Sequence, residues 1–211
     1  KMGIAIAKAA ADAGATVECS SLNLAQFAVI GDIYARHVLN RKEPAVGLLS
    51  NGTEVGKGNR LTKDAFELIR EVSSLNFIGN VEGHDLFSGK VDVVVCEGFV
   101  GNIVLKSCEQ MAKSMGAMLK EQLMKRFSWK MGALLSRGAF QEFRKSLDPA
   151  EVGGAPLLGV NGCCVIGHGN SNAKAVKNGI HMVGRMAKKE INQAIVEQIQ
   201  LYGLEHLVAF N

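Results

Sequence analysis

Apolar residues fall along this chain in two rhythms. Short, nearly continuous apolar runs occur at 45–50 (AVGLLS), 76–81 (NFIGNV), 91–96 (VDVVVC) and 163–167 (CCVIG). Runs of this length, the third of them rich in Val, predict strands buried on both faces, as in a parallel sheet. Between them the spacing becomes helical. Leu22, Phe27, Ile30, Ile33, Tyr34 and Val38 approximate one stripe over 22–39, with Ser20 and Ser21 placed to cap it. Further helices are expected over 61–72, from about 103 to 127, and, as one long element, over 171–199. ATVEC (15–19) reads as a short strand, while the Ala-rich residues 1–13 fit a helix or a poor strand. Pro44 closes the turn before the 45–50 strand, EGHDLFSGK is a polar turn, and GGAPLLGVNG (153–162) is a loop holding a short apolar run. Strand and helix in alternation predict one α/β domain over 1–211, with a mainly parallel sheet and helices on both faces.

Residues 113–147 depart from this pattern. Lys113, Lys120, Lys125, Arg126, Lys130, Arg137, Arg144 and Lys145 face only Glu121 and Glu142, and Met, Leu, Phe and Trp129 are interleaved among them. The expectation is a protruding basic helical hairpin with an exposed apolar edge, ended by Asp148–Pro149. Elsewhere charge is unremarkable: the net charge of +4 does not call for nucleic acid. No apolar run reaches the length of a membrane span, and no signal-peptide pattern opens the chain. The five cysteines have no framework spacing and no CxxC pair, which fits reduced thiols in a cytoplasmic protein. The chain opens at Lys1 without Met, as expected of a fragment or processed product.

Candidate chemistry gathers where strands end. NGTEVGKGN follows the 45–50 strand and places Lys57 between Gly56 and Gly58. Its glycines, with Gly52, let the backbone turn sharply and approach a ligand, and Asn51 and Asn59 flank them. The spacing matches neither a Walker A loop nor a dinucleotide fingerprint, and a solvated loop is the plain alternative. GFVGN follows the 91–96 strand, with Gly98 and Gly101 in the turn and Asn102 expected at or beside the helix N-cap. There Asn102 either caps the helix or aims its amide at a ligand oxygen. HGNSNAKA follows the 163–167 strand and offers His168, Asn170 and Ser171 as binding groups, or as structural ones. Three such junctions at strand C-termini mark the edge where open α/β sheets bind ligands. Carboxylates form no metal-type pattern, and no cofactor is expected. His84–Asp85 reads as a turn. Cys96 and Cys108 could act as acyl-carrying nucleophiles but sit in apolar surroundings that favour packing.

NGTEVGKGN, NFIGNVEGHDLF, VDVVVCEGFVGNIVLK, GGAPLLGVNG and HGNSNAKA, in this order, closely resemble the bacterial acyl-ACP:phosphate acyltransferase family, PlsX. DAGATVEC and LAQFAVIGDIYAR (24–36) resemble it too, so the likeness runs from about Asp12 onward. It implies transfer of a fatty acyl group from acyl carrier protein to inorganic phosphate, giving acyl phosphate for phospholipid synthesis. It also implies an isocitrate/isopropylmalate dehydrogenase-like fold and a homodimer. Members of the family are usually longer at the N-terminus, with a DAMGGD-like and an SAGNTGA-like segment that this chain lacks.

Phosphate is already an anion at neutral pH and thiolate leaves readily, so the site needs chiefly to collect reactants and stabilise an oxyanion. Lys57 and Asn102 are the candidate catalytic residues. Asn51, Gly52, Gly56, Gly58, Asn59, Gly98, Gly101, His168, Asn170 and Ser171 are the candidate substrate-binding ones. Lys125, Arg126, Phe127, Trp129 and Lys130 suit an anionic membrane at the inner face of the cell, or acidic acyl carrier protein, or a dimer interface with a charged rim. Two other functions stay open: an acyl-CoA:phosphate acyltransferase of the phosphotransacetylase type, and a membrane- and carrier-binding module without turnover.

Overall fold

The computed structural model describes residues 5–6, 18–146, 148–169 and 171–204. The N-terminal part of the strand expected at 15–19 lies outside them, as does Asn170. Four strands form the main sheet: β1 (Ala5–Ile6), β2 (Ala45–Leu49), β3 (Asn76–Val81) and β4 (Val93–Val95), in the order β1-β4-β2-β3. Every pairing is parallel, as the apolar runs predict.

Alternate residues of these strands feed two cores, because strand side chains repeat every second residue. Val46, Leu48, Val93 and Val95 face one side. They pack beneath α1 (Ser21–His37) and α2 (Arg60–Arg70), burying Leu24, Ala28, Val29 and Ile33 of α1 and Ala65 and Ile69 of α2. Val94 faces the other side with Val81, Leu86 and Val91, where Leu49 and Val104 pack against them. Each fully buried Val or Leu here contributes about 1.5–3 kcal/mol relative to exposure. Val104 belongs to α3 (Gly98–Leu123), so α2 and α3 leave neighbouring strands for opposite faces.

Local chemistry starts α1 where the sequence predicts. Ser20 Oγ accepts the Asn23 N–H at 3.2 Å while Asn23 Oδ1 accepts the Ser20 N–H at 3.0 Å. This reciprocal box satisfies two donors that the helix itself cannot. At the far end, Arg36 pairs with buried Asp32 at 2.7 Å and donates to the carbonyls of Lys42 and Ser74. Those bonds tie the connections that enter β2 and β3 to α1.

Three elements differ from expectation. The helix after β4 begins at Gly98, with Glu97 as its N-cap, and not at residue 103. GFVG is its first turn: Gly101 is buried, and a Cβ there would meet Cys96 Sγ at 3.1 Å. The 163–167 run does not join the parallel sheet. It forms β6 (Cys164–Ile166), paired antiparallel with β5 (Ala155–Leu157) in a separate two-stranded sheet. The long C-terminal helix is two: α6 (Ala173–Lys188) and α7 (Ile191–Leu201), divided at Glu190 with φ of 48°. The buried stripe of α6 runs through Ala175, Gly179, Met182 and Met186, and its next position would be Glu190. Breaking there keeps that carboxylate out of the core and lets Ile191, Ile195 and Ile199 form a new stripe beside α1. After α3, residues 127–135 and 137–146 form α4 (Phe127–Leu135) and α5 (Arg137–Ser146), and α4 buries no residue.

Candidate functional site

β2 and β4 are neighbours, and the helices that follow them lie on opposite faces of the sheet. Their loops therefore part at the carboxyl edge and leave a crevice, the topological switch point at which open α/β sheets bind ligands. A cleft of about 560 Å³ lies there. Ser50, Asn51, Gly58, Asn59, Leu61 and Thr62 line it from the β2 side, Cys96, Glu97 and Val100 from the β4 side, and Leu24 from α1.

The β2 loop is held by its own polar groups. Asn51 Oδ1 accepts the Gly58 N–H at 2.8 Å, and the Glu54 carbonyl accepts the Lys57 N–H at 3.1 Å. Asn59 caps α2 by accepting the Thr62 N–H at 2.9 Å. Gly58 has φ of 99°, and a Cβ there would collide with Thr62 Oγ1 and lie 3.0 Å from Ser50 Oγ. Only glycine satisfies both demands. Lys57 is exposed, and its stem crosses Gly52, where a Cβ would meet Lys57 Cγ at 2.8 Å and Glu54 Oε2 at 2.9 Å. Its side chain makes no ion pair or hydrogen bond among the described residues.

The β4 side presents a helix N-terminus and the thiol of Cys96, with Cys19, ahead of α1, close enough to Cys96 to influence its charge. By their position in the first turn of α3, the N–H groups of Phe99 and Val100 lack an intrahelical acceptor, whereas that of Gly98 goes to Cys19. Cys96 is pushed up to about 12 by burial, with the Glu97 charge and then Cys19 adding to the effect. Burial also raises Cys19, opposed by the Gly98 hydrogen bond. A thiol held that high stays protonated near neutral pH and is no nucleophile, so Cys96 packs. Among the described residues no cationic side chain lines the cleft, and Glu97 is its one carboxylate.

The structure brings Asn51, Gly58 and Asn59 together around the cleft, with Gly52, Gly56 and Lys57 elsewhere on the same loop. Gly98 and Gly101 lie in the first turn of α3, and Asn102, half-buried, stands in the following turn rather than at the cap. Asn102 therefore takes no aim from the helix N-terminus, which ends a turn before it. His168 is exposed and its carbonyl accepts the Ser171 N–H at 3.0 Å. Both follow β6, and neither lines the cleft, because β6 is not part of the parallel sheet. His84–Asp85 forms a turn, Asp85 Oδ2 accepting the Glu82 N–H at 3.0 Å. Lys125 pairs with Glu121 at 3.5 Å and Arg126 lies 4.7 Å over the Trp129 ring. Phe127, Trp129 and Lys130 are exposed. Ser50, Thr62 and Val100 escape sequence reasoning as cleft residues. Their only signal is position, at the last residue before one loop and in the first turn after each.

A family model described as "Fatty acid synthesis protein" matches residues 7–194. The chain is 49% identical over 196 residues to a phosphate acyltransferase of Pelobacter propionicus, covering 93% of this chain and 56% of that protein. It is 53% identical over 184 residues to one of Acidobacterium capsulatum, covering 87% and 54%. It is 50% identical over 189 residues to one of Geotalea daltonii, covering 90% and 54%. The chain spans about half the length of the curated relatives it matches.

Proposed function

Because the chain belongs to the fatty acid synthesis protein family, we propose that the protein transfers a fatty acyl group from the thioester of acyl carrier protein to inorganic phosphate, for phospholipid synthesis. The observation that carries this reading is the cleft at the switch point between β2 and β4, in a chain about half identical to phosphate acyltransferases.

A phosphate oxygen attacks the thioester carbonyl carbon, and a C–O bond forms as the carbonyl oxygen takes negative charge. Collapse of that intermediate breaks the C–S bond, and the departing thiolate takes a proton from solvent. Phosphate needs little deprotonation and the thiolate leaves readily, so most of the barrier lies in gathering the reactants and stabilising the oxyanion. The side-chain amides of Asn51 and Asn59 and the N–H groups at the start of α2 and α3 offer phosphate neutral donors. The cleft walls hold no cation, so the positive charge comes from Lys57, whose unpaired ammonium swings from its position across Gly52. Asn102, one turn inside α3, donates its amide to the oxyanion. Gly52, Gly56, Gly98 and Gly101 keep the backbone of both loops close to the ligand.

The finer parts of the reading concern context. The fold is of the isocitrate/isopropylmalate dehydrogenase type, and the protein works as a homodimer at the cytoplasmic membrane face. The basic helical surface over 113–147, through Lys125, Arg126, Phe127, Trp129 and Lys130, meets anionic lipid. Phe127 is 79% and Leu135 84% exposed, an apolar edge beside cations that suits shallow insertion.

The test is turnover by the full-length protein with phosphate and either acyl-acyl carrier protein or acyl-CoA. Acyl phosphate formed preferentially from the carrier protein supports the reading. Preference for acyl-CoA makes it a phosphotransacetylase, and no turnover with either donor overturns it.

A further inference from the structure

We infer that Asn80, the penultimate residue of β3, is a positioning residue that sets the backbone of Lys57. The inference rests on the acyltransfer reading for its consequence, though not for its geometry. Asn80 is only 6% exposed on a strand whose other buried side chain is the apolar Val81. Its Nδ2 donates to the Glu54 carbonyl at 3.1 Å. The same carbonyl accepts the Lys57 N–H at 3.1 Å. One backbone oxygen thus joins a rigid strand to the amide of the lysine.

A second carboxamide completes the frame. Asn51 Oδ1 takes the Gly58 N–H at 2.8 Å, so residues 54 and 58, on either side of Lys57, are each fixed by an Asn side chain. Next to Asn80, the Val81 carbonyl accepts the Ser50 N–H at 2.9 Å, which anchors the start of the same loop to β3. The lysine ammonium makes no hydrogen bond or ion pair among the described residues, so the backbone at 57 and the stem lying across Gly52 decide where it can reach.

The other half of the Asn80 amide argues against a packing role. Its Oδ1 is buried and has no donor among the described residues. Buried acceptors without donors are rare in native structures, and a small apolar residue would fill the position without that cost. What an apolar residue cannot supply is the bond to Glu54.

The experiment compares wild type with Asn80→Asp, which keeps the shape and removes the donor, and with Asn80→Ala, which removes it without adding charge. Amide hydrogen exchange reads the tether without needing turnover. Exchange at Lys57 should speed up on the order of 10-fold in both variants, with the amides of Val93–Val95 unchanged. In the full-length protein KM for phosphate should rise by a similar factor, with KM for acyl-acyl carrier protein within about two-fold. Unchanged exchange at Lys57 in the variant that retains the wild-type Tm overturns the inference. So does a fall in kcat with both KM values unaltered. Wild-type turnover judges the acyltransfer reading separately: an inactive wild type whose Lys57 exchange still responds to Asn80 defeats that reading and leaves the tether standing.

Discussion

A lysine ammonium on a long stem is a point charge with three donors, and its use depends on where its backbone starts. Lys57 begins between Gly56 and Gly58, both at positive φ, on a loop cross-braced by Asn51. Removing one oxyanion donor typically costs roughly 100- to 1000-fold in rate. Lys57→Ala and Asn102→Ala in the full-length protein should each lose kcat/KM of that order with Tm unchanged, as read by steady-state turnover and thermal melting. Wild-type rates in either folded variant would remove that residue from the mechanism. Cys96 makes a different prediction. Unfolded, its thiol loses the proton near the ordinary 9.0; folded, it keeps it to about 12. Above pH 9 the unfolded chain binds fewer protons than the folded one, so this contribution to stability is lost as pH rises from 9 towards about 12. Chemical denaturation across that range should show the fall, and Cys96→Ala should flatten it. Iodoacetamide at pH 8 should label exposed Cys164 and spare Cys96; equal labelling rates would contradict the burial.

Among the elements, the break between α6 and α7 has a cost that can be measured. Glu190 sits at φ of 48°, a conformation that glycine adopts without the Cβ penalty. Glu190→Gly should therefore stabilise the protein by about 0.5 kcal/mol, seen as a higher denaturation midpoint; a destabilised variant would show that the Glu side chain matters there. The 171–199 run was expected to be one helix; the break shows only in the phase of the apolar stripe, since Met186 and Ile191 are five residues apart and cannot share a face with their neighbours at three and four. The start of α3 was harder to read. Gly98 and Gly101 suggest a loop, and only the closeness of Cys96 Sγ to Gly101 reveals why the helix takes a glycine at 101. β3, by contrast, spans the residues the apolar run marks, because Asn76 and the turn after Val81 bound it chemically. The apolar-basic stretch over 113–147 carries a further prediction. Lys125→Glu, Arg126→Glu and Lys130→Glu together should weaken flotation with anionic liposomes on the order of 100-fold, at about 1 kcal/mol per cation near the surface. Unaltered flotation would exclude an electrostatic membrane contact.

At the scale of the whole molecule, strand order decides the site. β2 and β4 are far apart in sequence and adjacent in the sheet, and that adjacency places Asn51 and Gly58 opposite Glu97 and Val100. The two glycine loops were legible singly, because each follows an apolar run. That they share one edge was expected from the alternation of strand and helix; that β2 and β4 are direct neighbours was not legible, since it depends on β3 passing to the outer side of β2. The third loop, around His168, was expected at the same edge, and its strand pairs antiparallel elsewhere because Ala155–Leu157 offers β6 a nearer partner. The walls of the cleft bring polar neutral groups and a carboxylate, and in the proposed reading Lys57 supplies the charge. A crystal structure of the full-length protein with bound phosphate tests this most directly. The account predicts density in the cleft between Asn51, Thr62 and Val100, with the Lys57 ammonium turned onto a phosphate oxygen. Phosphate seated elsewhere, or bound in the cleft with that ammonium pointing away, would contradict it.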